Sequence, residues 1–303
     1  MGVRSGRKLV AFDRRLGARF VAGADEAGRG SLAGPLVAAA VLLDYDRLRG
    51  PRLTPLSSLN DSKQLLPEQR ERLFHAVLRL AAHVSVQVVS PGEIDRNGLH
   101  RSNLRALARA LRAVGPTAEV RLVDGFKLGP TAPPHRAVVD GDEKSAAIAA
   151  ASVIAKVVRD RAMRRLDALY PAFGFVSHVG YITPGHSAVV RSRGPCALHR
   201  RSFQALCYVD SPVEHDAALD LPPAELVEEA LASAGTELGV ATATEGSTAT
   251  DAAAERDLER VFAASDDGER APSQTGADAK DDPAPEARLR PPLAKPTARS
   301  RAA

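Results

Sequence analysis

Gly23-Ala24-Asp25-Glu26-Ala27-Gly28-Arg29-Gly30 follows directly on the apolar run Phe20-Val21-Ala22. An apolar run that ends in two adjacent acids reads as a strand delivering carboxylates to its tip. Like charges at close range raise each other's pKa, so the pair is tolerated when water solvates it or a cation lies between its members. Hard divalent cations take carboxylate oxygens. The glycines let backbone amides approach a large ligand, and Arg29 supplies a fork suited to phosphate. The stretch therefore points to a metal-dependent site acting on a phosphate-rich substrate. Two plainer readings compete: a solvated acid pair at a strand end, and a Gly-Arg-Gly turn. A third, the dinucleotide fingerprint in Gly28-x-Gly30-x-x-Ala33, needs a helix to open at the glycines. Here they lead through Pro35 into the apolar residues 36–43, and two acids directly upstream would repel a pyrophosphate.

Working outward, residues 36–43 read as a second strand paired with residues 20–24 through the glycine loop. Residues 67–81 have helical periodicity, with Leu73, Val77 and Leu80 on one face, and residues 84–89 are β-rich. Residues 101–114 repeat Leu104, Leu107 and Leu111 at helical spacing and stop at Gly115-Pro116. Residues 119–123 form a short strand that ends in Asp124-Gly125, and residues 137–139 form another, followed by Asp140-Gly141-Asp142. From Lys144 to about Leu169 runs a long helix whose Ile148, Ala151, Ile154, Ala155 and Val158 share a face able to pack closely on a sheet. Asp124 alone reads as a turn residue, and Asp142 alone as a helix cap. Together with Asp25 and Glu26, they end three strand-to-loop junctions in acid. If those strands are neighbours, four carboxylates meet on one sheet edge and need divalent cations to coexist there.

Charge is unevenly placed over the 303 residues. Residues 1–210 carry +14, residues 211–303 carry −10, and the formal total is +4. A basic body suits a polyanion. Residues 1–16 read as a basic extension, 17–210 as one mixed α/β domain, and 211–303 as an acidic, Ala- and Pro-rich tail that is mostly disordered. That tail holds weak helical patches at 223–234 and 252–264, and its last residues turn basic again. Cys196 and Cys207 are too far apart for a Cys-x-x-Cys motif and fit a reduced, cytoplasmic protein. No apolar stretch is long enough to span a membrane, and the N-terminus lacks a signal-peptide core.

At this point the chain resembles a known family, ribonuclease HII, the type 2 bacterial ribonuclease H. Residues 23–30 look like its first motif and Leu59-Asn60-Asp61-Ser62-Lys63-Gln64-Leu65 like its second. Leu122-Val123-Asp124-Gly125 matches the third. Gly141-Asp142, followed by Ala149-Ala150-Ala151-Ser152-Val153-Ile154-Ala155-Lys156, matches the fourth. His178-Val179-Gly180-Tyr181-Ile182-Thr183 and His199-Arg200-Arg201-Ser202-Phe203 look like its C-terminal signature. The resemblance covers about residues 17–208.

It implies a ribonuclease H-like mixed β-sheet flanked by helices, with a small helical C-terminal part near residues 183–208. It also implies Asp25, Glu26, Asp124 and Asp142 as catalytic metal ligands for two Mn2+ or Mg2+ ions. The implied substrates are RNA–DNA hybrids and duplex DNA with an embedded ribonucleotide, cut on its 5′ side to leave 3′-hydroxyl and 5′-phosphate ends. Gly28, Arg29 and Gly30 would read the 2′-hydroxyl, Tyr181 would stack on the neighbouring deoxyribose, and Lys63 would meet a phosphate. A monomer is expected. His178, His186 and His199 are expected to be structural neighbours of the site. One departure stands out: Asp140 occupies the place before Gly141-Asp142 where the family usually has Lys. Ribonuclease HIII shares the fold and acids but lacks Arg in the glycine loop and carries an extra N-terminal domain. A non-catalytic hybrid-binding module would have no use for four clustered acids facing phosphates.

Overall fold

The computed structural model describes residues 6–59, 65–209 and 241–242. The second motif's Asn60 to Gln64, Lys63 among them, lies outside the described residues, as do residues 210–240 and 243–303, which include the helical patches read in the tail. Strand β1 (Phe20–Ala27) pairs antiparallel with β2 (Leu36–Asp44) through the glycine loop, as the sequence predicts. The acid pair is not at the very tip: Asp25 and Glu26 still pair with Ala39 and Ala38, and the strand runs on to Ala27. Helix α2 (Pro67–Leu80) leads into β3 (His83–Val89), which pairs antiparallel with β2. Helices α3 (Pro91–Asn97) and α4 (Leu99–Ala113) follow, then β4 (Val120–Asp124), parallel to β1, and β5 (Arg136–Val138), parallel to β4. Helix α5 spans Ala146–Leu169, and α6 (Phe175–His178), α7 (Pro184–Arg193) and α8 (Leu206–Val209) form the small C-terminal part. The sheet order is β5-β4-β1-β2-β3, with a two-residue strand β6 (Ala241–Thr242) beside β3.

Every residue of β2 is buried, because α5 covers one face of the sheet and α4 the other. That is why its sequence is continuously apolar instead of alternating. The inward face of α5 is built from alanines and β-branched residues, so the helix axis lies close to the strands. Gly23 sets the distance. A Cβ there would lie 2.2 Å from the Ala147 carbonyl carbon and the Ile148 nitrogen, so any side chain would push the first turn of α5 off β1. That turn is the one that follows Asp142.

Residues 6–14, set apart in sequence as part of a basic extension, form helix α1 (Gly6–Arg14) instead. It buries Leu9 and Val10 in the same core as β1, β2 and α5. Arg7, Lys8, Arg14 and Arg15 dominate the composition and hide this short apolar face. Asp13 on α1 is fully buried, accepting hydrogen bonds from the Tyr45 hydroxyl and, at 2.9 Å, from the Ala147 N–H at the start of α5. Burial pushes its carboxyl up from the usual 3.8 to about 6, against the lowering effect of those hydrogen bonds.

The pH dependence follows from the direction of that shift. Between 3.8 and about 6 the folded protein keeps a proton that the unfolded chain has lost. Stability therefore falls as pH rises through this window, and the loss is complete above the upper value. At about 1.4 kcal/mol per tenfold change in proton affinity, the loss is on the order of 3 kcal/mol. Asp13→Asn keeps the acceptor without the charge, so it is expected to flatten this part of the stability–pH curve. Chemical denaturation of both proteins on either side of the window checks this; identical slopes would mean that Asp13 ionises freely within the fold.

Candidate active site

The register of β1 and β4 brings the acids together. Ala24 pairs with Val123, which sets Asp25 and Asp124 side by side, one step further along two parallel strands. Asp124 Oδ1 accepts the Gly141 N–H at 2.6 Å, and this bond folds the turn Gly141–Glu143 back onto the same edge. Asp142 is buried in that turn, directly after the residue that binds Asp124. Ser145, not Asp142, caps α5, accepting the Ile148 N–H at 3.2 Å.

Strand alternation points Asp25 toward α5, where Ser152 hydrogen-bonds to it, while Glu26 lies on the opposite side of the strand. Asp25 is 5% exposed. Burial raises its pKa well above the usual carboxylate range, and the charges of Glu26 and Asp124 raise it further. The Glu26 N–H, 2.7 Å from Asp25 Oδ1, and Ser152 pull the other way.

An all-oxygen, anionic donor set of this kind fits a hard divalent cation. Among the described residues, however, no three His, Cys, Asp or Glu side chains are gathered in an arrangement ready to hold a metal ion. Asp25 and Asp124 stand side by side on that edge, and the Gly141 contact brings the Asp142 turn to it. A cation placed between those carboxylates would offset their mutual repulsion.

The glycine loop stands beside this edge and is held by two buried arginines. Arg159, on α5, donates to the carbonyls of Pro35 (Nε, 3.0 Å), Val179 (Nη1, 2.9 Å) and Ala33 (Nη2, 3.1 Å). Arg200 donates to Gly34 (Nε, 3.1 Å, and Nη2, 2.9 Å) and to Arg29 (Nη1, 2.9 Å). Desolvation lowers the pKa of both guanidiniums, that of Arg200 to about 9. Arg29 reaches across the Phe126 ring, its guanidinium carbon 4.6 Å from the centroid, and so lies next to the loop that leaves Asp124. Tyr181 is 38% exposed, with Lys156 Nζ and Arg159 Cζ each 5.4 Å from its ring centroid. Asp140 has a left-handed backbone (φ 50°) and points outward, 3.8 Å from Lys144 Nζ.

The structure thus gathers Asp25, Glu26, Asp124, Asp142, the 28–30 loop and Tyr181 around one end of the sheet. Arg159 and Arg200 are the residues that the sequence reading passes over. Arg159 carries a signal: it lies four residues after Ala155, on the apolar face of α5, where a charge is unexpected. Arg200 lies inside a quoted motif, but nothing in its spacing separates a buried guanidinium from an exposed one.

A model of the family described as Ribonuclease HII matches residues 22–206. The ribonuclease HII of Salinispora arenicola (strain CNS-205) is 48% identical over 204 residues, 66% of this chain and 74% of that protein. The crystal structure of the ribonuclease H2 from Pyrococcus horikoshii OT3 is similar with a TM-score of 0.53 and 29% identity. It covers 63% of this chain and 95% of the other. The structure of Bst-RNase HIII in complex with Mn2+ has a TM-score of 0.50 at 20% identity, covering 66% and 71%. At that identity the likeness concerns the fold alone.

Gly28 and Gly30 are expected to respond differently to alanine. Gly28 has φ 89°, and a Cβ there would fall 1.9 Å from Arg159 Nε, whereas a Cβ on Gly30 meets nothing within 4 Å. Gly28→Ala therefore costs about 1–3 kcal/mol, or several degrees in Tm, through backbone strain and loss of Arg159's seat. Gly30→Ala melts as the parent protein does. Thermal unfolding of the two variants tests the contrast, and equal Tm values would remove Arg159 as the reason for a glycine at 28.

Proposed function

Since the chain belongs to the ribonuclease HII family, we propose that Asp25, Glu26, Asp124 and Asp142 are the acids with which it cuts RNA within duplexes. The substrates are the RNA strand of RNA–DNA hybrids and the 5′ side of ribonucleotides embedded in duplex DNA. The products carry 3′-hydroxyl and 5′-phosphate ends. The observation that carries the assignment is the parallel register of β1 and β4, which sets Asp25 beside Asp124 with the Asp142 turn bonded to it. Divalent ions, Mn2+ or Mg2+ by the hardness of the donors, would supply charge for the attacking and leaving oxygens when bound.

The chain's own residues do the rest. Asp124 holds the Asp142 turn in place through Gly141. Ser152 and the Glu26 N–H fix the orientation of Asp25. The space beside Gly30 is open, with nothing within 4 Å of where a Cβ would stand, and this supports the 28–30 loop reading a 2′-hydroxyl at close range. Arg29, held over Phe126, is available to a phosphate. The exposure of Tyr181 beside two cations supports its stacking on the sugar next to the ribonucleotide. Lys63 is proposed to contact a phosphate from sequence resemblance alone. The charge of +14 over residues 1–210 suits a duplex ligand. Among the described residues, no helix is long and apolar enough to cross a membrane.

The test is cleavage of a labelled DNA duplex carrying one ribonucleotide, with Mn2+, Mg2+ or chelator. A metal-dependent nick directly 5′ of the ribonucleotide is expected. Asp124→Asn keeps the acceptor for the Gly141 N–H, so its fold and hybrid binding should persist while the rate falls on the order of 10³-fold. Turnover comparable to the parent protein would take Asp124 out of the catalytic set.

A further inference from the structure

Two histidines that the site above does not use form an ordered chain behind Tyr181, with a third, His178, stacked on it. His199 and His186 are buried, their Nε2 atoms 3.0 Å apart. At one end the Cys196 backbone N–H lies 3.0 Å from His199 Nδ1. At the other, His186 Nδ1 lies 2.9 Å from the Tyr181 carbonyl oxygen. The Cys196 Sγ also lies 3.2 Å from His199 Nδ1, where its S–H can donate alongside the backbone N–H. An amide N–H can only donate, so His199 Nδ1 accepts. A neutral imidazole then carries its proton on Nε2 and donates it to His186 Nε2. That leaves the His186 proton on Nδ1, where it meets a carbonyl that can only accept.

The surroundings hold this arrangement. Burial lowers the pKa of His186 and takes that of His199 down to about 3, so both rings are neutral. The His178 ring stacks on His186 at 4.2 Å between centroids, and Phe175 packs edge-on against His186. His186 also lies in the first turn of α7, its N–H capped by Thr183 Oγ1 at 3.1 Å. The Tyr181 carbonyl is therefore tied to a rigid element, while its ring lies at the surface beside Lys156 and Arg159.

We infer that His199 and His186 are positioning residues: a proton-ordered imidazole pair that fixes the backbone of Tyr181 and so decides where its ring stands over an embedded ribonucleotide junction. The inference rests on the reading of Tyr181 as the ring that stacks at the junction. On that reading, the pair should matter more for one embedded ribonucleotide than for a long hybrid, where many registers can be cut.

The experiment measures the ratio of cleavage rates on a single-ribonucleotide duplex and on a long hybrid. His199→Asn keeps an acceptor for Cys196 but cannot reach His186; it and His186→Ala should each lower the ratio roughly tenfold or more. His186→Asn, whose amide can still donate to the Tyr181 carbonyl, should restore most of it. Tyr181→Ala should lower the ratio at least as far, and adding His199→Asn to it should cost nothing more.

Equal losses on both substrates, or losses that add in the double variant, would overturn the pair's positioning role while leaving Tyr181's intact. An unchanged ratio in Tyr181→Ala would instead overturn the stacking reading, and with it the pair's purpose. Should the variants fold poorly, ring nitrogen resonances of the parent protein decide. Neutral rings protonated at His199 Nε2 and His186 Nδ1 are expected at neutral pH; a doubly protonated ring, or the opposite tautomers, overturns the proposal.

Discussion

Two guanidinium groups buried at the end of the sheet hold the site in shape, because both direct their hydrogen bonds at main-chain carbonyls. Arg159 binds three carbonyls from two segments, at residues 33, 35 and 179, and Arg200 binds those of residues 29 and 34. A loop whose carbonyls turn inward, where water does not reach them, needs donors for them from the protein. Arginine answers that need, since one planar fork satisfies several acceptors at fixed angles. Gly28 follows from the same contact: the guanidinium occupies the space a side chain would take. The backbone bonds from Gly34 N–H to the Leu198 carbonyl and from Arg200 N–H to the Leu32 carbonyl complete the attachment. The glycine loop, the Tyr181 segment and the C-terminal segment thus share one anchor.

Much of this was legible in the chain itself, and the reasons differ from part to part. The acids could be found because charge at a strand end is costly and therefore conspicuous. The fully buried β2 could be found because two covering helices leave no polar alternation. The face of α5 was visible because small and β-branched residues recur on it at helical spacing. Helix α1 was missed because its arginines and lysine outnumber the two apolar residues that matter, Leu9 and Val10. Helix α3 was missed because Pro91-Gly92 reads as a turn, although Pro91 occupies the first helical position after the Ser90 cap. Arg159, Arg200 and the histidine pair were hidden for a different reason. The two arginines face carbonyls 20 to 171 residues away and the two imidazoles meet across 13 residues, and no local pattern encodes that.

The acid edge and its frame obey opposite electrostatic rules, and their separation explains how one small region holds both. Burial and the charges of Glu26 and Asp124 both disfavour the charged form of Asp25, so that edge favours a cation. The frame gains nothing from a net negative charge. Its guanidiniums meet carbonyl dipoles, and its imidazoles are neutral and bonded to each other. Had Arg159 or Arg200 paired with the acids of that edge, the loop would be held by charges for which a bound cation would compete, and binding an ion would loosen it. Main-chain carbonyls avoid that conflict, because bonds to them leave the carboxylate charges of the edge out of the loop's support. The strands can therefore bring carboxylates together at an energetic cost while the surrounding backbone keeps its shape whether or not an ion lies between them.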